Sequence, residues 1–303
     1  MSPGPNLAAA AALAALFAVA GCGLGEGESV DRVVLNVTHD YGDERVLART
    51  VEGVHESDTV MRMLDRSAEI ETRYGGGFVQ SIDGIAGGLR GGRFHDWFFY
   101  VNGVESSVGA AEVPLRGGER IWWDYRDWTA AMRVPAVVGS FPEPFRHGYG
   151  GERRPTAVLC RTAEAVCVRV RRTLRRAGAA LTRSADGAIT VRVGPWRALR
   201  RDHAAAQLED GPAVSGVFAE LVPIRGGWRL LGLTAEGDGV RGFGPGAGLI
   251  AATRRGDDPP TWVITGPTEG GVRAAAGALD AASLRDHYAV AIDGGAEIPL
   301  PVR

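Results

Sequence analysis

Apolar and polar positions alternate along much of this chain, most densely between Asp96 and Trp128. Trp97, Phe99 and Val101 fall on one face of a strand, with Phe98 and Tyr100 on the other. Ile121, Trp123 and Tyr125 alternate in the same way with Trp122 and Asp124. Asn102-Gly103 supplies two residues that tolerate positive φ, as a two-residue type I′ hairpin turn requires. Gly117-Gly118 provides a second tight turn before the last strand. Large aromatics on both faces leave two arrangements open. Either one face lies in a core and the other meets a partner, or protein covers both.

Upstream, Val33 to Thr38 and Val46 to Val51 read as an opening hairpin. A helix follows near 57–65, with Ser57 or Asp58 as cap and Thr59 at its start. Val60, Met63 and Leu64 at i, i+3, i+4 form one apolar stripe to lay across a sheet. Gly77 to Ile85 is a further strand, glycine-flanked at its start. Between Trp128 and Thr156 the pattern breaks into Pro- and Gly-rich stretches, so 131–155 is expected to be a linker.

The second half, 156–303, alternates strands and helices. Val166 to Leu181 reads as a basic helix carrying Arg169, Arg171, Arg172, Arg175 and Arg176. Ile189 to Val193 is a strand, and Pro195 opens a helix to about Leu208. Val217 to Val222 and Trp228 to Leu233 form a hairpin across Arg225-Gly226-Gly227. Leu249 to Thr253 and Trp262 to Thr265 are strands, Thr268 caps a helix running to about His287, and Tyr288 to Ile292 is the last strand. The expected fold class is α+β: a mixed sheet with one helix over 31–130, then a separate α/β domain.

Leu7 to Ala20 is an unbroken apolar run, too short to span a bilayer. It ends in Val19-Ala20-Gly21-Cys22, which resembles the lipobox of bacterial lipoproteins. That resemblance implies a signal peptide over 1–21, a lipid on Cys22, and anchoring at the outer face of the cytoplasmic membrane. Residues 22–30 then read as a flexible acidic tether. All 34 basic residues are Arg, and the net charge of −2 argues against a nucleic-acid partner. Cys160 and Cys167 remain as an even pair in an oxidising compartment. On one helix they would lie about 10 Å apart, beyond the roughly 7 Å that a disulfide spans. A bridge therefore needs Cys160 at the end of a strand and Cys167 in the first turns of the next helix; two buried thiols are the alternative.

Candidate chemistry is sparse. Gly242 to Gly248 lacks the strand-before, helix-after context of a dinucleotide loop and reads as a flexible loop. Thr265 to Gly271 leads a strand into a helix, either as an anion site or as an ordinary capped start. The six His show no metal spacing, so no metal site is expected. Ser215-Gly216 lacks a nucleophile-elbow context. Asp83, Asp96, Glu119 and Asp124 read as solvated surface by default. No constellation for catalysis stands out, and the expectation is a protein that is not an enzyme.

The opening hairpin, the 57–65 helix, the Gly77 to Ile85 strand, Tyr100-Val101-Asn102-Gly103 and the return Leu115 to Trp122 together resemble the transcobalamin-like C-terminal domain, a β-grasp module. The resemblance implies binding. In the eukaryotic cobalamin carriers this domain closes over a corrinoid held against an α/α barrel, which this chain lacks. It implies a cobalamin-like small ligand, with Tyr100, Asn102 and Gly103 at the hairpin and Trp122, Trp123 and Tyr125 on the last strand as contacts. Bacterial relatives are similar to accessory components near vitamin transporters, so the expected partners are a small ligand or a transporter subunit. The alternative is an adhesive module whose sheet edge binds protein or cell-wall glycan.

Overall fold

A computed structural model describes residues 1, 29–30, 32–55 and 57–303. The apolar segment and Cys22 lie outside the described residues. The fold is α+β, mostly strands with few helices. Its first half is a six-stranded mixed sheet. Strand Arg120–Asp127 lies at its centre, antiparallel to Arg93–Val101 and parallel to Val33–His39. Glu44–Val51 pairs outside Val33–His39, while Gly88–Arg90 and Val104–Glu105 pair with the two ends of Arg93–Val101.

Period-two alternation sorts the central strand onto two cores. Ile121, Trp123 and Tyr125 join Leu35, Val37 and Trp97 in a core closed by the helix Val60–Asp65 and the small sheet of Ile70–Arg73, Phe78–Ile82 and Ile85–Ala86. Thr59, rather than Ser57 or Asp58, caps that helix, its hydroxyl accepting from the Arg62 N–H at 3.3 Å. Trp122 points the other way, into a core of Tyr41, Tyr100, Val134, Phe218, Leu233 and Tyr288. That core is made by both halves of the chain.

The second half is a seven-stranded sheet. Leu181–Thr182, Thr156–Cys160, Ile189–Val193 and Thr261–Thr265 run parallel; Gly248–Thr253, Ala289–Asp293 and Ala296–Leu300 continue the sheet antiparallel. Glu164–Arg176 and Glu269–Gly277 cover one face. On the other face lie Trp196, Leu199, Leu208 and the three-stranded sheet of Ala219–Ile224, Gly227–Leu233 and Val240–Gly242.

Residues 131–155, expected as a linker, are built into these cores. Val134, Val137, Val138, Phe141, Phe145 and Tyr149 are all buried, and Phe145 packs against Trp262 at 4.8 Å between ring centroids. The expected Pro195–Leu208 helix is a short turn, Trp196–Leu199, followed by a 3₁₀ segment Ala205–Asp210. Asp202 lies between them, taking an ion pair from Arg192 at 2.7 Å and a hydrogen bond from the Ala204 N–H. The helix after Thr268 ends at Gly277, and Asp280 caps a separate turn, Ala281–Leu284. A further strand, Ala296–Leu300, follows the one expected to be last.

Cys160 ends its strand and Cys167 lies in the first turns of the Glu164–Arg176 helix. The two form a disulfide with Cα atoms 6.0 Å apart. Glycines 248, 266 and 271 are explained by packing. A Cβ on Gly271 would fall 2.0 Å from the Ala247 carbonyl oxygen, and one on Gly248 2.2 Å from the Gly271 oxygen. Helix and loop meet there backbone to backbone.

Candidate functional site

The hairpin turn forms as its sequence dictates, with Asn102 at φ 53° and Gly103 at φ 77°. It is not open to a ligand. The Asn102 amide donates to the Gly148 carbonyl at 2.8 Å, and its oxygen accepts from the Arg120 N–H. A Cβ on Gly103 would sit 2.9 Å from the Val137 oxygen. The segment expected as a linker thus covers the turn.

Tyr100 and Trp122 are buried in the core between the halves, while Trp123 and Tyr125 are buried beneath the helix side of the sheet. Of the two arrangements left open by the aromatic pattern, the one with both faces covered is found. The six residues therefore split into three groups: a docked turn, an interface pair and a core pair.

At the junction of the halves sits Asp124, fully buried although its sequence position read as surface. Its carboxylate accepts from the Thr38 hydroxyl at 2.5 Å, the Tyr41 and Gly42 N–H groups at 3.1 and 3.0 Å, and the Tyr288 hydroxyl at 2.8 Å. Burial pushes its pKa up to about 6 against the opposing pull of these donors. The Tyr100 hydroxyl donates on to Tyr288 at 3.2 Å, and the Trp122 indole to Thr38 at 2.7 Å. Burial raises the Tyr288 phenol well above its ordinary range. Arg126, also buried, lies 3.8 Å from the Phe98 ring and donates to the Ala131 and Met132 carbonyls. Glu119 is buried too, its carboxylate accepting from the Arg116 N–H at 2.9 Å. Apart from the Arg126 Nε, which has no partner, these groups are satisfied internally and serve to join the structure.

An open concavity lies elsewhere. A cleft of ≈ 870 Å³ opens between the halves, lined from one side by Asp40, Tyr41, Arg93 and Asp127 and from the other by Ala235, Glu236, His287 and the 298–303 tail. Arg93 pairs with Glu236 and Arg303 with Asp43, so ion pairs cross from one half to the other within it. A third pair, Arg45 with Asp286 at 2.7 Å, ties the halves outside the cleft. The cleft holds acidic and basic groups beside Tyr41 and the Pro-rich tail, a mixed surface able to orient a polar organic ligand. None of these residues stood out in the sequence, because they come together only when the two halves dock.

The Val33–His39/Glu44–Val51 hairpin also brings His39, Asp40 and Glu44 within 4.8 Å of one another. His39 already bridges the two carboxylates, which are 60% and 67% exposed. Sequence spacing alone could have suggested this trio only with the turn in hand.

Residues 57–127 match the model of a family described as a domain of unknown function, DUF4430. Among solved structures, the chain is similar to a protein from Ruminococcus gnavus described as a "putative metal binding protein". The two are 15% identical, and the match covers 32% of this chain and 97% of that one with a TM-score of 0.26. At that score the likeness sets no constraint on fold or ligand here. No curated protein matches. Among the described residues, no helix is long and apolar enough to cross a membrane.

Proposed function

We propose that this chain is an exported lipoprotein that binds a small polar organic molecule in the cleft between its halves and presents it to a membrane transporter. The observation that carries the binding reading is the cleft itself. Its ≈ 870 Å³ falls within the range of small-molecule sites, and both halves line it. Ion pairs across it give an opening that ligand could widen or close without breaking either core. The lipid anchor rests on Val19-Ala20-Gly21-Cys22, and an oxidising compartment agrees with the Cys160–Cys167 bridge. A corrinoid remains the ligand motivated by the sequence resemblance, with the cleft in place of the buried hairpin as its seat.

The test is a thermal-unfolding screen of the full chain against hydroxocobalamin, haem and a panel of polar metabolites, repeated on Ala235→Trp, which fills the cleft. A compound that raises the midpoint of the parent but not of the variant supports the reading. Absence of any stabilising compound would favour a partner protein or cell-wall glycan instead.

A further inference from the structure

The outer edge of strand Arg93–Val101 is only partly occupied. Gly88–Arg90 pairs with Arg93–His95, and Val104–Glu105 pairs with Tyr100 and Val101. Between them, Asp96–Phe98 has no strand partner on that side among the described residues, since the Phe99 carbonyl accepts from the Ser106 N–H at 3.2 Å. At roughly 3.4 Å per residue, the gap is about 10 Å long. Beside it lies a slot of ≈ 270 Å³ lined by the aromatic residues Trp97, Phe99 and Trp123, with Met61 and Val108 among its walls.

Trp123 is the unexplained member. It is 2% exposed, yet its indole nitrogen has no hydrogen-bond partner. The other tryptophans of this half are all satisfied: Trp97 donates to the Ile85 carbonyl, Trp122 to Thr38 and Trp128 to Asp96. A buried donor left unpaired is costly, and an acceptor brought by a ligand would complete it. The charged groups lining the slot, Glu105 and Arg133, pair with each other at 3.4 Å and leave no net charge to match.

We propose that this slot binds the planar ring of an uncharged small molecule, whose carbonyl or ring-nitrogen acceptor takes the Trp123 N–H. A ring offers offset or edge contacts to the surrounding aromatics. An extended peptide fits less well, because a strand running on past the gap would collide with Gly88–Arg90 at one end and Val104–Glu105 at the other. The volume is slightly below that of usual ligand pockets, which suits a single ring or the planar end of a larger molecule. Every lining residue except Arg133 lies in the family-matched segment 57–127, so the site belongs to that domain and is independent of the cleft.

The experiment uses the full chain with nicotinamide and 2-pyridone as ring probes, and benzoate and acetamide as charged and ringless controls. Binding is read by calorimetry and tryptophan fluorescence. Saturable binding of the ring probes is expected, weakened about tenfold in Trp123→Phe, which keeps an aromatic ring and loses the N–H. It should be abolished in Val108→Trp, a substitution at a residue 48% exposed that closes the slot. Trp123→Phe removes the unpaired donor together with part of the buried ring, so its thermal midpoint is measured beside its affinity to establish that the variant is folded. Three outcomes overturn the proposal: no saturable binding of either ring probe, unchanged affinity in both variants, or benzoate and acetamide binding as well as the ring probes.

Discussion

The Tyr288 hydroxyl donates a 2.8 Å hydrogen bond to the buried Asp124 carboxylate, joining the two halves across 164 residues of sequence. Tyr288→Phe removes that donor and leaves the Tyr100 hydroxyl without its acceptor. A loss of about 1–3 kcal/mol of unfolding free energy is expected. Denaturant unfolding of parent and variant measures it; an unchanged midpoint would show that this bond does not hold the halves together.

Asp124 also gives a pH signature. Burial raises its pKa to about 6, above the ordinary aspartate value, so the folded chain holds the proton more tightly than the unfolded one. The stability this group contributes is therefore complete at low pH and is lost as pH rises through 6. Raising the pH from 4 to 7 should lower the stability of the parent by about 2 kcal/mol relative to Asp124→Asn. Glu105 and Glu119, also raised by burial, act with the same sign in both proteins. Parallel stability–pH curves for parent and variant would contradict this.

The disulfide closes a short loop between strand Thr156–Cys160 and the Glu164–Arg176 helix. The chain-entropy model gives about 2–3 kcal/mol for a loop of this length. Cys160→Ser with Cys167→Ser should lower the thermal midpoint, and a reductant should then have no further effect on the double variant.

Gly271→Ala tests the close approach of the Glu269–Gly277 helix to the 242–248 loop. The new Cβ would fall 2.0 Å from a backbone oxygen, so the helix must move. A loss of about 1–3 kcal/mol is expected. Gly256→Ala is a poor control because φ is +51° there, whereas Gly246→Ala, with open space around its Cβ, should cost less.

Local chemistry made part of this structure legible. Asn102-Gly103 could form only a tight turn, and strand-to-helix geometry was the arrangement that allowed Cys160 to reach Cys167. The stripe Val60, Met63 and Leu64 lay on one helix face as its spacing required. Docking was not legible. Prolines at 135, 142 and 144 signal an irregular backbone but say nothing of its burial, and Phe141 and Phe145 beside them pack into a core. The same blindness applied to the aromatic strand. Period two placed Trp122 and Trp123 on opposite faces, but what covered the Trp122 face depended on Tyr288 and Phe218, far along the chain. The cleft, built from residues 40–44, 93–95 and 234–303, was invisible for that reason.

The most direct measurement is native mass spectrometry of the full chain recovered from the membrane fraction, beside Ala235→Trp prepared identically. The parent is expected to carry a non-covalent small molecule, released on unfolding and missing from the variant. The same bare protein mass for both, or the same bound molecule in both, would contradict a ligand seated in the cleft.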